Sequence, residues 1–203
     1  MTQVQTVTGP IDVEQMGATL VHEHIFVMNE EYRLNYAEWD EHAQIADAVE
    51  QLTQLEGLGI DTIMDPTVLG LGRYIPRVQR IAQQVKLNII VATGVYTYNE
   101  VPFQFHHSGP GLLFDQPEPM VQLFLKDLND GIADTGVRAA FLKCAIEEQG
   151  LTPGVERYEV GRVEDHDAES RVGEGERPEV EQQVGRDGGD VLLHGVPGAA
   201  ALD

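Results

Sequence analysis

One cysteine in 203 residues leaves no partner for an intrachain disulfide, so the fold must hold without one. Nothing in that count speaks against a reducing compartment. Positive charge is also scarce: 13 Lys and Arg stand against 34 Asp and Glu, a formal charge of −21. Nucleic acids and anionic membrane surfaces are gripped by clustered Lys and Arg, so neither is an expected partner. No apolar run approaches the roughly 20 residues that cross a bilayer. The opening MTQVQTVTGPID has neither the basic segment nor the apolar stretch of an export signal. A cytoplasmic location is expected. What is present, 42% hydrophobic residues with 6% aromatic, fits a globular protein large enough for one good core or two small domains.

The pattern along the chain alternates. LVHEHIFV reads as a strand followed by a polar loop. EHAQIADAVEQLTQLEGLG places Ile45, Val49, Leu52 and Leu55 at helical spacing before Gly57 and Gly59 end the run. DTIMDPTV is a short strand stopped by proline, and RYIPRVQRIAQQVK sets Ile75, Val78, Ile81 and Val85 on one helical face. NIIVATGVYTY is continuous and β-branched, as in a parallel strand covered on both faces. PEPMVQLFLKDLNDGIADTG supplies a third helix and VRAAFLKCAI a fourth strand. The order βαβαβαβ requires a parallel sheet with right-handed crossovers.

A doubly wound sheet or a (β/α)₈ barrel satisfies that order. The former wants a glycine-rich turn after the first strand, and IFVMNEEYRLNY is not one. VLGLGR at 68–73 lacks a phosphate-binding lysine and reads as a turn between strand and helix. The barrel gains from where His22, His24, Tyr96, Tyr98 and Lys143 fall, in or at the C-terminal ends of strands, the face on which barrel active sites are built.

Side chains alternate along a strand, so His22 and His24 share one face and Glu23 takes the other. Two neutral imidazoles on one face can hold one divalent cation; a hydrogen-bonded pair of core histidines uses the same spacing. Lys143 lies within the apolar strand AAFLKCAI, where an unpaired charge costs several kcal/mol. It pairs with a carboxylate, snorkels to solvent, or stays as a neutral amine able to form a Schiff base or, with carbon dioxide, a carbamate. Arg73 and Arg138 read as surface residues or structural ion-pair partners.

GATLVHEHI, DPTVLGLGR, ATGVYTY and IADTGVRAAFLKCA, in this order, resemble the phosphotriesterase family of the amidohydrolase superfamily, and its lactonase branch in particular. The resemblance runs through LTPGVER, over residues 1–157. It implies the N-terminal half of a TIM (β/α)₈ barrel, about four βα units, from a metal-dependent hydrolase. It further implies two divalent ions, zinc first with cobalt, iron or manganese as alternatives. On that pattern His22 and His24 ligate the more buried ion and Lys143, carboxylated, bridges both. The resemblance also implies a hydroxide held between the metals as the group that would attack a lactone, ester or organophosphate. On the same pattern Tyr96 stands where phosphotriesterases proper carry tryptophan, which implies a place for it with Tyr98 at the substrate; ordinary packing at a strand end is the alternative. Cys144 should then point away from the metals and pack.

After LTPGVER the family pattern stops, so the chain reads as a truncated member of doubtful activity. Residues 158–203 hold 12 acidic and 4 basic groups, a denser negative charge than the 22 and 9 of the first 157. Only Tyr158 and Ser170 in that stretch are residue types whose codons must be allowed to begin with A or T, against 49 in the first 157. That bias is expected of an irregular tail read in a shifted frame, or joined from an unrelated segment; a native linker is the alternative. His166 and His194 read as part of its solvated charge, and VLLHGV as a brief apolar turn. Half a barrel leaves open sheet edges, which predicts marginal stability and makes a homodimer one route to closure. The competing reading of function is a non-catalytic fragment or interaction piece without turnover.

Overall fold

The computed structural model describes residues 2–36, 38–97 and 101–146, with the backbone of 191–193. The expected alternation is found. Strands β3 (Thr19–Leu20), β4 (Thr62–Asp65), β5 (Asn88–Gly94) and β6 (Phe141–Cys144) lie side by side in chain order, all parallel. Helices α2 (Glu41–Gly57), α3 (Ile75–Ala82) and α5 (Pro119–Asn129) occupy the three connections. Short helices α1 (Glu30–Asn35) and α4 (Phe103–His107) sit in what the sequence presents as loops.

Local chemistry sets the helix bounds. The Asp40 carboxylate accepts from the N–H groups of His42 and Ala43 at the start of α2, and Pro76 occupies the first turn of α3, where its missing N–H costs nothing. Ile45, Ala48 and Leu52 of α2 are buried with Ile75, Val78 and Ile81 of α3 against Ile63, Ile89 and Val91 of the sheet. Burying each such isoleucine contributes roughly 1.5 to 3 kcal/mol. Val49 and Leu55 pack at the margin of that core, as does Val85, which lies beyond the end of α3. A second cluster joins Val95, Val101, Met120, Phe124 and Cys144. Cys144 is thus a packing residue, as expected.

Two features depart from the sequence reading. Residues Gln3–Thr6 (β1) and Gly9–Asp12 (β2) form an antiparallel hairpin, and Val7 donates its N–H to the Ile89 carbonyl, which sets the hairpin against the N-terminal end of β5. Secondly, Val191–Leu193, expected as an apolar turn, is a strand, β7, paired antiparallel to β6 with Leu192 opposite Lys143. A backbone carrying unsatisfied donors and acceptors at a sheet edge readily takes an extended partner. The remainder of the tail, His166 and His194 included, lies outside the described residues, as does the boundary expected at 157. No described helix is long and apolar enough to cross a membrane.

Candidate metal centre

The histidines come from the chain that extends β3. By hydrogen-bond pattern that strand ends at Leu20, shorter than the sequence run suggests, and His22 lies in a bend. The ladder nonetheless continues through one bond, from the Glu23 N–H to the Met64 carbonyl at 3.1 Å. Alternation survives with it: His22 and His24 are half-buried while Val21 and Glu23 are exposed. The two rings meet edge to face, with Nε2 to Nε2 at 3.2 Å.

That separation fits a shared cation. Two nitrogens at about 2.05 Å from a tetrahedral ion lie about 3.3 Å apart. It equally serves a ring-to-ring hydrogen bond when one Nε2 carries a proton, so both readings left open by the spacing meet in this geometry. Behind the pair, His24 Nδ1 is 2.8 Å from Thr67 Oγ1 and 3.7 Å from Asp65 Oδ1. Asp65 is buried at the end of β4, and burial pushes its carboxyl up to about 6, against the opposing hydrogen bonds from Thr67. Asp65 and Thr67 were not singled out by the sequence. The signal was DPT: an aspartate accepting from the backbone two residues on is a common device at a strand-to-turn junction.

Lys143 enters from the other flank. It is 2% exposed, on β6, with Nζ 5.2 Å from the centre of the Tyr96 ring. Its strand register is set by Gly94, directly opposite: a Cβ there would sit 1.9 Å from the Lys143 carbonyl oxygen, so only glycine lets β5 and β6 approach. Tyr96 is half-buried and its backbone joins two neighbours, donating to the Leu69 carbonyl and accepting from the Ala145 N–H. Tyr98, expected beside it, lies outside the described residues. Across the parallel registers, Leu20 pairs Ile63, Asp65 pairs Val91 and Gly94 pairs Lys143, so the histidines, Asp65, Tyr96 and Lys143 all fall toward the C-terminal ends of the strands. Among the described residues, no three of His, Cys, Asp and Glu gather as a set of metal donors.

Two arginines frame this rim. Arg73, at the end of the glycine turn, pairs with buried Asp127 at 2.8 Å and donates to the Ala92 carbonyl; Thr93 donates to the same carboxylate at 2.6 Å. This is the structural ion pair expected of Arg73; Arg138 is half-buried. Gly72 makes that turn fit, because a Cβ would meet the Met28 carbonyl oxygen at 2.1 Å. Arg77, missed from sequence, is 1% exposed and has Phe26, Trp39 and Tyr74 rings each centred 5.2 Å from its guanidinium. It also pairs with Glu30 at 2.8 Å and Glu41 at 3.2 Å. Burial would raise both carboxyls, but the hydrogen bonds and charge of Arg77 and Arg33 hold Glu30 below its usual range, and bonds from Trp39, Arg80 and Arg77 do so for Glu41. The cage thus fixes the segment that leaves the histidine strand.

The chain is similar to known proteins in sequence and fold. A sequence model described as Phosphotriesterase family matches residues 2–173, beyond the expected limit at 157. A "Phosphotriesterase homology protein" of Mycobacterium tuberculosis is 55% identical over 159 residues, covering 77% of this chain and 49% of that protein. An "Aryldialkylphosphatase" of Saccharolobus solfataricus is 33% identical, covering 72% of this chain and 45% of its own length. The solved structure titled as the phosphotriesterase from Mycobacterium tuberculosis superposes with a TM-score of 0.73 at 54% identity, over 77% of this chain and 49% of that one. The chain spans about half the length of the curated relatives it matches. The four parallel strands with their crossover helices are half of a TIM-type barrel. Sequence and fold agree, and the chain belongs to the phosphotriesterase family.

Proposed function

We propose that the chain carries the metal-binding half of a hydrolase that cleaves lactones, esters or organophosphate triesters. The observation that carries this is the 3.2 Å approach of His22 Nε2 to His24 Nε2, which suits one divalent ion. Lys143 would supply the remaining first-half donor, as a carbamate made from its buried amine and carbon dioxide. Divalent ions there, zinc first, would supply Lewis-acid polarisation of the scissile carbonyl or phosphoryl group and activation of water near neutral pH. The chain's own residues do the rest. Thr67 and Asp65 hold the His24 ring from behind, Tyr96 gives an apolar wall beside Lys143, and β6 keeps the amine away from bulk water. Tyr98 is proposed to share the substrate side with Tyr96.

The name of the Saccharolobus relative supports a phosphotriester as one substrate; Tyr96 in place of tryptophan supports a lactone as another. Metal analysis of the purified chain, with hydrolysis of an aryl dialkyl phosphate and of a long-chain lactone, tests the reading. At least one metal per chain, lost in His22→Ala and His24→Ala, together with turnover of either substrate, is expected. Well under one metal and no turnover would assign the chain instead to the non-catalytic reading.

A further inference from the structure

Thr67 sits between an imidazole and a buried carboxylate. Its hydroxyl is 2.5 Å from Asp65 Oδ1, 2.8 Å from His24 Nδ1 and 3.4 Å from the Phe26 carbonyl. A threonine hydroxyl has one proton to give and two lone pairs to offer. Carboxylate and carbonyl oxygens accept, so the proton goes to one of them, and the short charge-assisted contact to Asp65 takes it. The Thr67 backbone N–H donates to the same oxygen at 2.9 Å, which fixes the carboxylate. Oγ1 therefore turns a lone pair toward His24. Two acceptors would repel at 2.8 Å, so Nδ1 carries the ring proton and Nε2 the lone pair. Asp65 cannot do this directly, because 3.7 Å is beyond hydrogen-bond reach of Nδ1.

We infer that Thr67 is a positioning residue: by giving its proton to Asp65 it sets His24 in the Nδ1–H tautomer and aims the Nε2 lone pair toward His22. The relay spans 43 residues of sequence and joins the segment after β3 to the turn after β4. It touches no substrate and acts only through His24. Its chemical consequence rests on the metal-dependent reading above, since a lone pair on Nε2 is what a divalent ion takes up, and partners behind a ligand tune its affinity.

The test uses the full chain, labelled with ¹⁵N-histidine and stripped of metal at neutral pH. Long-range proton–nitrogen NMR distinguishes the two tautomers, and the His24 signal is identified by its loss in His24→Gln. His24 is expected as Nδ1–H in the unsubstituted chain and in Thr67→Ser. Thr67→Val, similar in shape but without the hydroxyl, should shift the tautomer ratio about fivefold toward Nε2–H, the scale of one hydrogen bond. An Nε2–H tautomer in the unsubstituted chain overturns the inference, whatever the variant does; so does a ratio unmoved in a folded Thr67→Val. Cobalt(II) titration of the same samples separates the two ideas. Poor uptake with the Nδ1–H tautomer in place defeats the metal reading alone. Good uptake with the Nε2–H tautomer defeats the relay alone. If both hold, Thr67→Val should bind cobalt roughly 10- to 100-fold more weakly, and Thr67→Ser should restore it.

Discussion

The two flanks of the parallel sheet hold their polar residues by different means. On the β3–β4 flank, His22 and His24 are half-buried, and orientation comes from side chains behind them, Thr67 and Asp65. On the β5–β6 flank, Lys143 and the Arg73–Asp127–Thr93 cluster are sealed among packed strands and α5. Hydrogen bonds aim groups that must reach outward; burial immobilises charge that must stay put. Removing one partner of the sealed Arg73–Asp127 pair should therefore alter stability more than chemistry, and removing the Thr67 hydroxyl behind His24 the reverse.

The strongest break of that contrast is Asp127→Ala. It leaves the Arg73 guanidinium buried without its carboxylate, and urea unfolding should show a loss of about 3 to 5 kcal/mol. A loss under about 1 kcal/mol would mean the packed flank is not held by charge. Next is the pH response of Asp65 in metal-free protein. Its carboxyl is raised from 3.8 to about 6, so the folded state binds the proton more tightly than the unfolded one. Stability should then fall as pH rises from about 4 to 6, by about 2 to 3 kcal/mol, and stay lower above 6. Asp65→Asn should flatten that slope in a series of denaturation curves.

Lys143→Met, on the same packed flank, behaves differently from Asp127→Ala because it removes a buried amine together with its desolvation cost. An apolar chain of similar length in that strand should leave stability within about 1 kcal/mol or raise it, while the metal content of the purified chain falls. The smallest effect is expected of Glu41→Gln. Glu41 pairs with Arg77 and with the exposed Arg80, and its side chain is a quarter exposed. The change should cost under about 1 kcal/mol. Because Glu30 and Glu41 titrate below their usual 4.5, their contribution is present at neutral pH and disappears as pH falls through those lowered values, opposite in sign to Asp65.

The fold was legible where one segment's pattern decides its own fate. NIIVATG is apolar throughout because both its faces are covered, and Ile75, Val78 and Ile81 mark the inner face of α3 without help from elsewhere. Arg77 shows where that logic stops. Charge and position suggest solvent, yet besides the nearby Tyr74 ring the groups that enclose it, Phe26, Glu30, Trp39 and Glu41, lie about 36 to 51 residues earlier, outside any local window. The β1–β2 hairpin was missed because its residues are polar and its pairing is short. For the candidate site, HEH and the lysine in an apolar strand marked candidate donors by residue type but left core histidines and an ion pair open, and only the family resemblance made them expected ligands. The relay behind His24 needed the strands side by side, since Thr67 reaches His24 only once β4 lies next to β3.

The reversed polarity of β7 has a bearing on self-association. Where another βα unit would continue the winding, the outward N–H and C=O groups of β6 are already engaged by a segment travelling the other way. The opposite margin, β3, offers two residues on which an incoming chain could zip. A second copy joining by strand addition would have to displace β7 at one border or pair with the two residues of β3 at the other.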